Sequence, residues 1–164
     1  MREELDKKLC EKYPLIFRNR YGNPQETLMC FGFEHGDGWY NIIDVLCGML
    51  YSDYENAKSK YEKTLQWRQE FGHYPWKDGK EITPEILEEL RDKMFMEEMK
   101  VPVASQIKEK FGTLRFYTEG YTKEHDKLIQ FAEALSARTC EICGKPGLIR
   151  GRSWMYTCLL YTSP

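Results

Sequence analysis

The chain has 164 residues, 41% hydrophobic and 30% charged, which suits one ordinary globular domain and excludes extensive disorder. Its 24 basic and 26 acidic residues leave a net charge of −2, which argues against a dedicated non-specific binder of duplex nucleic acid, whose affinity draws mainly on phosphate neutralisation. No run approaches the roughly 18 apolar residues of a membrane span, and the charged start MREELDKKLCEKY is unlike a signal peptide, so a cytosolic protein with no membrane partner is expected.

Arg2 to Tyr13 is predicted as a short helix with Leu5 and Leu9 on one face, stopped by Pro14. Residues 15–33 are loop-rich, with a YGNP turn at 21–24, and LMCFGF is apolar enough for a buried strand. Asp37 or Gly38 is a natural N-cap for the helix that follows, in which Trp39, Ile42, Ile43, Leu46 and Leu50 recur at helical spacing. The free amides of such an N-terminus can hold an anion. Residues 52–71 interleave Lys and Glu with Tyr54, Tyr61 and Leu65, which suits a solvent-facing helix or a continuation of the previous one. HYPWKDGKEI reads as a turn-rich connector; Thr83 and Pro84 then open a helix carrying Leu87, Leu90 and Met94, and Pro102 ends it.

A hairpin is predicted over about 103–118, turning near Lys110 to Gly112. Val101, Val103 and Ile107 alternate on one face with Leu114 and Phe116 across from them. Gln106, Lys108, Lys110, Arg115 and Tyr117 fall on the opposite face, a basic strip with a ring beside it. Such a strip is either the ordinary solvated side of a sheet or a surface for phosphate. Thr122 caps a last helix whose Leu128, Phe131, Ala132 and Leu135 are expected to pack on the sheet. The expected class is α+β: a small antiparallel sheet against several helices, one domain over 1–157, closed by a knuckle-like turn at 140–147.

Six cysteines without an export signal favour thiols or metal ligands over disulfides. Cys140 and Cys143, in CEICGKPG, have the spacing by which two thiolates reach one tetrahedral zinc, and the motif follows a helix, where a redox pair would precede one. One such pair is half a site, so zinc is expected with an incomplete ligand set. Cys158 lies in the right zone for a third ligand, and Cys30 with His35 are a further source. The stretch 158–164, CLLYTSP, matches the translation of a transposase adapter used in library preparation, so the native sequence is expected to break off near Thr157 with its own C-terminus lost, and the tail to be non-native.

The blocks CFGFEHGDGWYNIID, QIKEKFGTLRFYTEG and FAEALSARTCEICGKPG, in this order, resemble a family of small proteins encoded by tailed bacteriophages and prophages, over about Leu9 to Trp154. That resemblance implies a phage source, action in the host cytoplasm, and a zinc site completed by ligands beyond Trp154. It leaves three functions open. The first is a non-catalytic binder that counters host antiviral defence by sequestering a nucleotide-type immune signal, an anionic small molecule. Its expected site joins Asp37, Trp39 and Tyr40 to Lys108, Lys110, Arg115 and Tyr117, in a chain expected to form a homo-oligomer. The second is a zinc-knuckle nucleic-acid-binding accessory protein that uses the same strip. The third is a small metal-dependent enzyme using Glu34, His35 and Asp37.

Overall fold

A computed structural model of the chain describes residues 1–76, 78–151 and 155–160. Trp154, where the resemblance ends, and residues 161–164 of the adapter-like tail lie outside the described residues. The architecture is α+β, as the patterning implied. Its contacts gather into two compact units, Met1–Leu50 with Pro102–Pro164, and Tyr51–Val101, where the sequence suggested one domain over 1–157.

In the first unit, α1 (Glu3–Lys12) buries Asp6, Leu9 and Cys10. The buried Asp6 carboxylate is held by a forked Arg20, whose Nη2 lies 2.7 Å from Oδ2, and Arg20 Nη1 also donates to Cys30 O. LMCFGF is not a strand. Leu28–Phe31 forms a 3-10 turn capped by the Thr27 hydroxyl, and Gly32, at φ +78, redirects the chain into a two-residue β1, Phe33–Glu34. The cause is local: a capping hydroxyl before the run and a left-handed glycine inside it outweigh its apolar composition.

β2 (Val103–Lys110) and β3 (Thr113–Glu119) form the expected hairpin, closed by Phe111 at φ 54 and Gly112 at φ 76, the geometry of a primed turn. The sheet is mixed, not purely antiparallel, because β1 pairs with β2 in parallel through Phe33↔Ile107 and Glu34↔Lys108. A register shift between Ala104 and Gln106 also changes the inward set. Ala104 and Ile107 are buried, and Val103 is only half-buried.

α4 (Lys123–Ser136) runs beside β3, as predicted, but on a different face. Its buried residues are Ile129, Ala132 and Ser136, whereas Phe131 is 68% exposed and Leu135 is 42% exposed. Polar contacts decide the rotation. The Leu114 amide donates to Ser136 Oγ and the Phe116 amide to Glu133 Oε1, so α4 satisfies the outer edge of β3 with the side of the helix that carries Glu133 and Ser136. β4 (Gly147–Arg150) and β5 (Tyr156–Leu159) form a second small sheet, so Cys158 and Leu159 of the expected tail belong to a strand.

α2 (Tyr40–Glu70) is one continuous 31-residue helix that begins in the first unit and continues in the second. In the second unit it is accompanied by α3 (Pro84–Lys100), and a loop tied by Tyr74 N–H to Lys80 O and Ile82 N–H to Gly72 O connects them. The buried residues there include Tyr51, Ala57, Thr64, Ile82, Leu87 and Val101.

Candidate functional site

The three resembling blocks meet in the first unit, and their meeting is structural. The Gly36–Trp39 turn nests on the Cys140–Gly144 turn: Gly38 N–H donates to Glu141 O at 2.7 Å, Gly36 N–H to Glu141 Oε1 at 2.9 Å, and the Trp39 indole to Thr139 O at 2.8 Å. A Cβ on Gly38 would overlap the Cys140 carbonyl and lie 2.5 Å from Gly144 N, so only glycine allows this approach. Trp39 has no exposed surface, which contradicts its expected role as a stacking platform: its ring belongs to the core, where burial of such a side chain contributes roughly 1.5–3 kcal/mol.

The other residues of the turn are separately engaged. Gly36, not Asp37 or Gly38, caps the short 3-10 turn that leads into α2, and Tyr40 is half-buried at the helix start. The Asp37 carboxylate accepts from the backbone N–H and the side chain of Arg2, and these contacts hold it below the usual carboxylate range. Glu34 accepts from Gln106 Nε2 at 3.2 Å. His35 is buried between the rings of Phe33 and Trp39, with Nδ1 2.7 Å from Gly36 O, and burial pushes its pKa down to about 4. Because a carbonyl only accepts, Nδ1 carries the proton, and Nε2 is left buried without a partner among the described residues.

Most of the basic strip does assemble. Lys108 faces Arg115 and Gln106 faces Tyr117 across the strands, and Lys108 Nζ lies 5.8 Å from the Tyr117 ring centre. Its cations are partly committed: Arg115 Nη1 donates to Thr113 Oγ1 and Leu114 O and lies 3.8 Å from Glu133 Oε2, and Glu34 pairs beside Lys108 on β1. Lys110 lies over Phe111 at the turn. Trp39 does not join the strip, because its one polar atom is bonded into the Thr139 corner.

In the turn expected to be a zinc knuckle, Cys140 is buried and Cys143 exposed. The Lys145 amide, and secondarily Cys140, hold the Cys143 thiol below its ordinary range. Two thiolates are half of a tetrahedral zinc set. Among the described residues no group of three or more His, Cys, Asp or Glu side chains gathers, Cys30 donates to Thr27 O, and Cys158 sits opposite Leu148.

The second unit holds a site that the sequence reading passed over. Trp67 on α2 meets Trp76 edge-on at 4.3 Å between ring centres and Tyr74 at 6.1 Å, and Tyr74 and Trp76 are 6.4 Å apart. These three rings line a cleft of about 490 Å³, within the size range of small-molecule sites. Asn56, Lys60, Lys63 and Thr64 of α2 line it too, with Glu89 of α3 opposite. Trp76 is 62% exposed, so much of its side chain is accessible among the described residues. The helical spacing of Asn56, Lys60, Lys63 and Trp67 was the available signal, since steps of four, three and four place them on one side of a helix. The ring partners Tyr74 and Trp76 come from the connector, whose return onto α2 has no local sequence signature.

No family model, curated protein or solved structure matches this chain.

Proposed function

We propose that the protein is a non-catalytic binder of an anionic, ring-bearing small molecule of the nucleotide class, held in the cleft between α2 and α3. One observation carries the reading: three aromatic rings and two lysines line the same 490 Å³ cleft. Rings accept a planar base by stacking, worth about 1–3 kcal/mol per base, and the ammonium groups of Lys60 and Lys63 suit phosphate. Glu89 and Asn56 add an acceptor and an amide for the edge of a base. The phage resemblance extends the proposal to biology, where holding such a ligand would withdraw a nucleotide immune signal of the host.

The test is titration calorimetry with a panel of nucleoside monophosphates, triphosphates and cyclic dinucleotides. Trp76→Ala is expected to weaken the bound member about 10-fold or more, and Lys60→Ala with Lys63→Ala to abolish preference for phosphate over the free nucleoside. Heating should release the ligand unaltered. A changed product would establish an enzyme instead, and binding confined to single-stranded oligonucleotides, falling steeply with salt, would establish a nucleic-acid protein.

A further inference from the structure

Because α4 is turned so that Ile129, Ala132 and Ser136 face inward, its apolar residues Leu128, Phe131 and Leu135 line an outward groove with Val45 and Met49 of α2. Phe131 is 68%, Val45 63%, Met49 50% and Leu135 42% exposed. Among the described residues this surface stays exposed, and its side chains are contiguous along one groove. Along α4 and the turn that follows it, Glu124, Leu128, Phe131, Leu135 and Arg138 fall at steps of four, three, four and three, the heptad seam of paired helices. The helical turn persists to the end of the seam, since Arg138 N–H donates to Leu135 O.

The charges fix which partner fits. Glu124 and Arg138 are exposed, lie seven residues either side of Phe131, about 10 Å along the axis in each direction, and have opposite sign. A second α4 laid antiparallel across a twofold axis at Phe131 brings each Glu124 beside the second copy's Arg138, at both ends of the seam. A parallel arrangement would set like charges together at both ends. The size also agrees. Four side chains at these exposures leave on the order of 400 Å² of apolar surface, and an interface taken whole is a little under about 60% apolar. That corresponds to roughly 700 Å² per copy, close to the approximately 800 Å² of a standard interface.

We propose that this face pairs with the same face of a second copy, α4 antiparallel to α4 about Phe131, with the groove between α2 and α4 receiving the second copy's Phe131. The contact is isologous, so it closes as a dimer and does not propagate.

Sedimentation velocity over a concentration series tests it. The wild-type chain is expected to dimerise, and Phe131→Glu to weaken dimerisation at least about 30-fold, as loss of a central aromatic anchor does. Phe131 is exposed, so circular dichroism of this variant should match wild type; Val45→Lys provides a second lesion in the same groove should it not. Glu124→Arg and Arg138→Glu are each expected to weaken the dimer, and the double variant to restore it, which only the antiparallel register predicts. A monomer at every concentration overturns the proposal and leaves the groove to a foreign helix. A dimer indifferent to Phe131→Glu and Val45→Lys, or one that the double charge exchange fails to rescue, overturns it equally.

Discussion

His35 gives the fold a pH dependence whose sign and size follow from its surroundings. The imidazole is 7% exposed, between Phe33 and Trp39, and its Nδ1–H donates to Gly36 O. Burial chiefly, and secondarily the nearby Met1 ammonium, disfavour the charged ring, while the Gly36 carbonyl and Asp37 favour it; the balance lowers the pKa from 6.5 to about 4. Between these values the unfolded chain binds a proton that the folded chain does not, so stability falls as the pH drops through 6.5, and the loss is complete near 4. At 1.36 kcal/mol per pH unit the full loss is about 3 kcal/mol. The perturbation is His35→Asn, which keeps an amide N–H near the position of Nδ1 and does not titrate. Urea unfolding followed by tryptophan fluorescence, at steps from about pH 7 to pH 4, yields the stability of each protein. The difference between wild type and variant is expected to shrink or reverse by about 3 kcal/mol across that range, other titrating groups cancelling between the two. Parallel pH curves for the two proteins would mean that His35 is hydrated in the folded state, and the packing of the turn as described here would be wrong.

Gly38→Ala tests the docking of the turn on the knuckle: the added Cβ meets backbone at Cys140 and Gly144, neither of which can swing aside, so a loss of about 1–3 kcal/mol is expected in the same unfolding assay, and a neutral result would refute the close approach. Thiol reactivity should divide sharply. Cys143, exposed and with its thiol held below the ordinary range, should react with iodoacetamide well before Cys10, which burial and Asp6 push up to about 12, and Cys47, which burial also raises. Mass-mapped labelling at near-neutral pH reads the order, and equal rates would contradict the described burial.

What was legible in the sequence is what local chemistry dictates. The Thr83–Pro84 start, the Thr122 cap, the 103–118 hairpin and the α+β class follow from residues near one another in the chain, because capping, turn geometry and apolar periodicity act over a few positions. LMCFGF departs from a strand for the same kind of reason, since the Thr27 hydroxyl and Gly32 act locally against the apolar run between them. Lys108, Arg115 and Tyr117 could be placed on one face because strand alternation is local, whereas Trp39 could not be separated from them without knowing that its indole bonds Thr139, 100 residues away.

The sequence by itself therefore determined the helices and the hairpin. Only the tertiary structure decided that the GDGW turn is a seat for the CEICG turn, that α4 presents Phe131 outward, and that Trp67, Tyr74 and Trp76 share a cleft with Lys60 and Lys63. Each of these depends on which backbone groups, distant in the chain, satisfy one another. A helix is free to rotate about its axis until such partners hold it, and a loop free to wander until it closes, so neither outcome is written in local periodicity.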